Sequence, residues 1–579
     1  MAKVSGGAVA ARFLKNEGVE KIFGIIDGTY FGFYSSAVGD GIELVSPRHE
    51  TSAAHMAGAY ARSSGRLGVC MASNGPGVAN ILPGLVVEQA EGNRVLVITS
   101  ARRTGIMYPD RGGTYQCFDQ SGVIGQIAKH SEAVHSFERI PEVMKRALRY
   151  CFEGRPGVVH VDIPENIMNG KFEGALPQQS VESYRRTAPV SPDAEQLEQA
   201  RKLLTDAKLP MIHAGGGIIH AEAYAELQEL AELLGSPVTT SWGARGVLSE
   251  EHELAIPMVN ISLNNRVRNA ADVVLTLGSR IGETDWWGKA PYWAKPSEQK
   301  MIQVDMDPMI LGANKPAAIP IQADVKTFMK GLIAALKKNG RSSKPDLSSF
   351  DKRKIQYREK LDKSLEKDTE YVHPARAVVA CRDAFPDNSI LVADGGNTAI
   401  WANFYWKVKT PGTLLSTFKF GMLGAGVAQA LGAAKAHPDR PVCCIIGDGA
   451  MGFHPQEIET AVRHNLKIVY VVLCDKQWGM VKMNQSFTLR PWKMLLYKSL
   501  DPGETIAADL GEIRFDQVAE AMGAHGERVS RNEGLNDAVN RCLGVNGPSV
   551  IHVDVDPVAH MWAPGLRYFK AMHEEPSGK

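Results

Sequence analysis

Two aspartates carry the chemistry that can be read from this chain. The apolar run VCCII, residues 442–446, ends in Gly447-Asp448-Gly449-Ala450; a helix-like segment follows, and a second apolar run, IVYVVL over 468–473, ends at Cys474-Asp475. Two such runs joined by a helix read as a strand–helix–strand unit of a parallel sheet, with both aspartates at the carboxyl ends of their strands. Ligands of open α/β sheets bind at that end. Glycines let the backbone approach a diphosphate closely, and the start of a helix offers unpaired N–H groups to its oxygens. A carboxylate beside a diphosphate repels it unless a cation stands between them. Asp448 and Asp475 are therefore expected to ligate a Mg²⁺ that also holds the diphosphate.

This pairing resembles the thiamine-diphosphate signature, in which GDG is completed by Asn-Asn at the end of the next strand; Cys474-Asp475 stands here instead. Asp for Asn keeps an oxygen ligand and adds a negative charge, so metal binding is expected to be retained. With the resemblance come Gln477 as a further metal ligand and Trp478, Gly479 and Met480 beside the cofactor. Upstream, Arg48-His49-Glu50 precedes AAHMAGAYARSSGRLGVCMASNGPGVANIL, which resembles the pyrimidine-binding half of the acetohydroxyacid synthase superfamily. The resemblance implies that Glu50 hydrogen-bonds a ring nitrogen of the aminopyrimidine. A buried carboxyl group there shares a proton with the ring and turns its exocyclic imine into the base, while the cofactor supplies the electron sink. Asn80 resembles the family's cofactor-contacting asparagine. Gly396-Asn397-Thr398, in ILVADGGNTAIW, resembles the EGANT stretch of oxalyl-CoA decarboxylases and 2-hydroxyacyl-CoA lyases, which meets the diphosphate. FKFGMLGAGVAQALGAA, 418–434, is similar to the segment whose bulky residue, Leu423 here, wedges between the two cofactor rings, with the carbonyl of Gly421 accepting from the exocyclic amine. Without the resemblance this Gly/Ala run reads as a tightly packed helix.

The elements that must position these residues follow from pattern and length. At 579 residues the chain is long for one core and suggests three α/β domains, each a doubly wound parallel sheet. The expected divisions are a pyrimidine-binding unit over 1–180, a nucleotide-binding-like unit over 190–345, a charged helical linker over 346–372, a diphosphate-binding unit over 373–557 and a C-terminal tail over 558–579. GVVHVDIPE closes the first unit and SVIHVDVDP the third, as expected of two similar halves. The aromatic-rich tail reads equally as a lid over the site or as a contact with a neighbouring subunit. A net charge of +1 gives no basic excess for nucleic acid, and no apolar run is long enough for a membrane span. The N-terminus begins an amphipathic helix rather than a signal sequence. Eight scattered cysteines without CxxC spacing predict reduced thiols and a cytoplasmic setting.

The middle unit and the loops bear on the reaction. Gly215 and Gly216 after a strand, Arg280 at the end of LTLGSR and Asp305 in QVDMDP resemble a site for FAD or the ADP part of CoA, on the alternative of a relic fold with no ligand. GETDWWGKAP, which does not resemble the flavin-binding stretch of the synthases, favours CoA over FAD. The substrate pocket is expected from Asp27-Gly28-Thr29-Tyr30, from Gln116 and Cys117, and from Ile127 and Trp492. Gln116 aligns with the glutamine of the family's FQE motif and counts as catalytic, with Cys117 replacing the acidic residue. Lys493 reads as a base, if desolvated, as a cation for a substrate anion, or as solvent-facing. QWG followed by K-x-NQ resembles both sulfoacetaldehyde acetyltransferases and bacterial 2-hydroxyacyl-CoA lyases. The leading expectation is thiamine-dependent cleavage of a 2-hydroxyacyl-CoA to formyl-CoA and an aldehyde or ketone. The alternatives are an acetolactate synthase-like or sulfoacetaldehyde acetyltransferase-like carboligase acting on a 2-oxoacid, and a non-catalytic homologue. The family places its cofactor between the first domain of one chain and the third of another, so a homo-oligomer, a dimer of dimers, is expected.

Overall fold

The computed structural model describes residues 3–566, apart from 110, 342, 499 and 502. Three parallel sheets run along the chain. The first comprises β1 (Lys21–Gly24), β2 (Glu43–Val45), β3 (Gly68–Ala72), β4 (Val95–Ala101), β5 (His130–Ala133) and β6 (Val158–Pro164). The central one comprises β7 (Pro210–Ala214), β8 (Val238–Thr240), β9 (Val273–Leu277), β10 (Lys300–Asp305) and β11 (Ile319–Gln322). The third comprises β12 (Ile390–Asp394), β13 (Leu414–Leu415), β14 (Val442–Gly447), β15 (Ile468–Cys474), β16 (His525–Val529) and β17 (Ser549–Asp554).

The first sheet has the order β2-β1-β3-β4-β6-β5 and the third β13-β12-β14-β15-β17-β16, which is one topology used twice. GVVHVDIPE and SVIHVDVDP fill equivalent places in it, as β6 and β17. The inner strands β4, β6, β14, β15 and β17 are buried along their whole length. That is why they read as continuous apolar runs rather than alternating ones.

Two helices join the first and third units. Helix α1 (Glu50–Ser64) lies against α3 (Ala425–Ala436), and α2 (Asn397–Tyr405) precedes α3 in the chain. Small residues make this possible: a Cβ at Gly432 would stand 2.3 Å from the carbonyl oxygen of Met56. The Gly/Ala run of 425–434 is thus a close-packed helix as well as the neighbour of the loop holding Gly421 and Leu423. Arg48 N donates to both Glu457 carboxylate oxygens at 3.1 Å, adding a polar tie across the same seam. A single apolar core runs through it, from Ala53, Ala57 and Val78 to Val427, Leu431 and Ile446.

Among the described residues no disulfide forms; seven of the eight cysteines are buried, and Cys117 is exposed. Among the described residues no helix is long and apolar enough to cross a membrane. The tail is partly explained: Pro557–Met561 forms α6, and Met561, Ala563 and Leu566 are buried in the core of the third unit. This stretch is a wall of its own domain rather than a lid; residues 567–579 lie outside the described ones.

Candidate active site

Three neighbouring strands of the third sheet end side by side, and each hands over to a helix start. β12 leads through Gly395 and Gly396 into α2, β14 leads directly into α4 (Asp448–Met451), and β15 leads through Asp475 into α5 (Gly479–Leu489). The three helix starts lie close together, and helix N-termini suit phosphate oxygens. The space between them is a cradle: a Cβ at Gly479 would lie 2.8 Å from Asn397 Nδ2, and one at Gly449 would lie 2.6 Å from the Trp478 ring. Met480 lines it opposite Gly396, and Ala450 is buried behind it.

The polar atoms of the cradle fit a diphosphate and a hard cation. Asn397 is buried, yet neither its Oδ1 nor its Nδ2 has a protein partner; such an orphaned amide costs about 1–3 kcal/mol unless something binds it. Asp448 accepts from Gly449 N at 2.7 Å and Lys476 N at 2.8 Å. Burial, and then the nearby Asp475, push its carboxyl up to about 6. Asp475 lies across from it, with Gln477 Nε2 donating to Oδ2 at 3.1 Å. A half-buried carboxylate, Asp448, beside a buried one, Asp475, with an unsatisfied amide, forms an oxygen-rich donor set of the kind Mg²⁺ takes. Gln477 Nε2 also donates to Pro557 O at 3.0 Å, which orients this side chain beside Asp475; a cation would take an oxygen of Gln477, not this nitrogen. Sequence reasoning missed His560, whose Nδ1 stands 2.6 Å from Asp475 Oδ2 and whose Nε2 stands 3.0 Å from Thr398 Oγ1. No local spacing marks it, because its partners are far away in the chain.

The other candidate residues gather on the first unit. Glu50 begins α1, and Asn80 Nδ2 donates to its Oε2 at 3.1 Å. Glu50 is half-buried rather than buried, since this face is not covered by its own chain's cradle. No hydrogen bond or ion pair joins Glu50, Asn80 or Gln116 to Asn397, Asp448 or Asp475 among the described residues. Asn74 Nδ2 donates to Gln116 O at 2.9 Å, which fixes Gln116 beside the turn at Gly75. Thr29 donates from both N (2.8 Å) and Oγ1 (2.5 Å) to Asp27 Oδ1, and Asn169 Nδ2 donates to Gly28 O at 2.9 Å. Tyr30 is a correction: at 1% exposure its ring fills the core, so it lines no pocket. Leu423 and Ile127 are both half-buried on the core joining the two units, and Gly421 lies exposed in the loop before α3.

A buried network behind these loops was also missed. Ser100 Oγ shares a 2.6 Å hydrogen bond with Thr29 Oγ1 and accepts from Asn74 N at 3.0 Å, tying the expected substrate turn at 27–30 to the turn at Asn74. Gln120 Nε2 donates to Asp162 Oδ1 and Ser100 O, each at 2.7 Å, anchoring the loop after Gln116 to the sheet. Burial raises the Asp162 carboxyl from 3.8 to about 6. The folded state therefore holds this proton more tightly than the unfolded chain. The stability Asp162 contributes is full below about 4 and is lost as pH rises through about 6. The stability difference between wild type and Asp162→Asn should accordingly change across that window and level off above about pH 7. Denaturant unfolding at stepped pH measures it, and parallel curves would contradict the raised carboxyl.

Two candidates near the third unit fall away from the pocket. Lys493 Nζ is held by Asp501 at 2.9 Å and Glu504 at 2.5 Å, on the surface of the segment after α5. These carboxylates hold its ammonium above its ordinary pKa, the reverse of what a base needs. Trp492 is 78% exposed and narrows no acyl pocket of this chain.

The central unit holds a cavity of about 440 Å³ at the carboxyl ends of β7, β9 and β10. Arg62, Arg94, Arg155, Arg280 and Asp305 line it, with Gly216 and Gly217. Gly215 packs instead, since its Cβ would lie 2.2 Å from Gly278 O. Arg94 and Arg155 donate to backbone carbonyls, and among the described residues neither forms an ion pair, although Glu91 and Asp305 line the same cavity. Burial and Arg280 lower Arg155 to about 10, and burial raises Asp305 to about 6. Such a lining suits an anion such as a phosphate.

Comparison with known proteins agrees with this geometry. Residues 4–123 match the model for the thiamine pyrophosphate enzyme N-terminal TPP binding domain, 197–332 the central domain, and 394–553 the C-terminal TPP binding domain. The acetolactate synthase of Mycobacterium bovis is 31% identical, over 97% of this chain and 89% of its own. A probable acetolactate synthase large subunit of Methanococcus aeolicus is 28% identical over 100% of this chain and 97% of its own. The acetolactate synthase large subunit of Haemophilus influenzae is 28% identical over 98% and 97%. A cradle for a diphosphate and its cation, two sheets of one topology and relatives that match end to end all lead to one assignment: the chain belongs to the thiamine pyrophosphate-dependent enzymes, in their acetohydroxyacid synthase-like branch.

Proposed function

We propose that this enzyme is a thiamine-diphosphate- and Mg²⁺-dependent carboligase of the acetolactate synthase type, taking a 2-oxoacid such as pyruvate and joining its decarboxylated remainder to a second carbonyl. The observation that carries the reading is the end-to-end likeness to acetolactate synthases, from four residues inside the N-terminus to the last strand. It displaces 2-hydroxyacyl-CoA cleavage, which rested on the short stretches Gly396-Asn397-Thr398 and Gln477-Trp478-Gly479.

Thiamine diphosphate, when bound, supplies a carbon nucleophile and an electron sink. The chain's own part is to hold and to move protons. Asn397, Asp448 and Asp475 would hold the diphosphate and its cation, with the N–H groups that open α2, α4 and α5. Glu50 Oε2 is occupied by Asn80, and Oε1, without a protein partner among the described residues, is the atom to hold or release a proton at the pyrimidine. The family resemblance sets the cofactor between the first domain of one chain and the third of another, so the complete site is read as Glu50 from one copy and the cradle from another. No hydrogen bond or ion pair joins the two within one chain among the described residues. Loops 27–30 and 115–120 then bound the substrate. The cationic cavity of the central unit is read as a seat for the phosphates of a nucleotide cofactor, CoA or FAD.

Incubating the holoenzyme with pyruvate should release CO₂ and accumulate acetolactate. Formyl-CoA from a panel of 2-hydroxyacyl-CoA esters, with no product from pyruvate, would overturn the reading.

A further inference from the structure

We propose that His560 is a positioning residue matched to the carboxylate at 475: it grips one oxygen of Asp475 so that the other is presented to the bound cation. The inference rests on the reading of Asp448 and Asp475 as that cation's ligands.

The Asp475 side chain is 2% exposed. A carboxylate so buried has no donor of its own and must find donors around it. They are distributed unevenly. Oδ2 faces His560 Nδ1 at 2.6 Å and Gln477 Nε2 at 3.1 Å, whereas among the described residues Oδ1 meets Gln477 N alone, at 3.4 Å. Two donors thus claim Oδ2 and leave Oδ1 as the oxygen for a cation. An asparagine at 475 with its oxygen turned to the cation would set its own NH₂ against these donors, N–H against N–H. The surroundings are therefore built for an aspartate, and His560 is the main part of that difference.

The imidazole is itself held on every side. Thr398 Oγ1 lies 3.0 Å from its Nε2, and with that hydroxyl donating, the ring hydrogen sits on Nδ1, towards Asp475. Its carbonyl accepts from Trp401 Nε1 at 2.9 Å. Its helix, α6, is capped by Asp556, which accepts from Ala559 N at 2.7 Å, and Pro557 O accepts from Gln477 Nε2. One ring therefore ties the Gly-Asn-Thr turn, the second aspartate and the segment after the last strand into a single unit. Outer partners of this kind commonly change metal affinity by about 10–100-fold.

The test uses Mn²⁺ as probe. Its free concentration is followed by electron paramagnetic resonance over the full-length protein, stripped of metal and then supplied with excess thiamine diphosphate. His560→Phe should weaken Mn²⁺ binding by about tenfold or more. His560→Asn, whose amide nitrogen replaces Nδ1, should lose less than about threefold, and His560→Gln, which replaces Nε2, should resemble His560→Phe. In an Asp475→Asn background, His560→Phe should cost less than about twofold. Equal losses in both backgrounds would make His560 a packing residue and overturn the proposal, as would no loss in either. If His560→Phe fails to fold, the Asn and Gln variants carry the comparison. Asp448→Ala separates the two layers: if it binds Mn²⁺ like wild type, the cation site itself is misread. If it does not bind while His560→Phe is neutral, only the role of His560 fails.

Discussion

Replacing Asp448 with alanine is expected to abolish stabilisation by thiamine diphosphate and Mg²⁺. In wild type the melting temperature should climb with added cofactor and metal, because a ligand that binds only the folded state stabilises it by RT ln(1 + [L]/Kd). The variant should show no climb at concentrations that saturate wild type, a loss of affinity beyond about 100-fold, since an inner ligand outweighs the outer partners that cost 10–100-fold. The physical reason is the pairing of Asp448 with Asp475 in a buried cradle, where burial and mutual repulsion already push Asp448 up to about 6. A site that holds two carboxylates at such cost is built to receive a cation. The ligand-free variant should melt close to wild type: it loses acceptors for Gly449 N and Lys476 N but is relieved of a repulsion. A full cofactor-induced climb in Asp448→Ala, read by calorimetry, would place the diphosphate elsewhere.

The parts of this site that depend on chain-local physics were legible beforehand. VCCII and IVYVVL had to be inner strands because they are apolar without alternation, and the glycines and aspartates after them had to lie at the ligand-binding ends. The likeness of GVVHVDIPE to SVIHVDVDP likewise anticipated two sheets of one topology. What was not legible depends on residues brought together from afar. His560 lies after the last strand in an aromatic stretch, and only the fold sets it against Asp475. Thr29, Ser100 and Asn74 are joined where two loops pack on the end of β4, which no spacing announces. Tyr30 follows a turn that reads as pocket, yet its ring turns inwards. Lys493 reads as a base, a cation for a substrate anion or a solvent-facing side chain, and only the fold brings Asp501 and Glu504 onto it. The substrate reading leaned on short stretches around the cofactor, which branches with different reactions share, whereas likeness over the whole chain favours the synthase alternative.

Glu50→Gln is expected to lower kcat by about 10³-fold, within the range for removing a positioned acid–base group, while leaving cofactor affinity within a few-fold. Glutamine keeps the shape and can still accept from Asn80 Nδ2, so α1 and its packing against α3 should be undisturbed. What it cannot do is exchange a proton at the pyrimidine. Affinity should survive because the proposed diphosphate grip lies in the cradle of Asn397, Asp448 and Asp475. The same variant tests how the site is assembled. If Glu50 of one copy serves the cradle of another, mixing Glu50→Gln chains with Asp448→Ala chains must rebuild one intact site in each mixed pair, although neither parent is active. Random pairing of equal amounts would then restore about a quarter of wild-type turnover, because half the pairs are mixed and each has one good site of two. Were Glu50 to act on the cradle of its own chain, every chain in the mixture would carry one lesion and activity would stay at the parental level. Turnover after unfolding and refolding the two variants together decides between these outcomes.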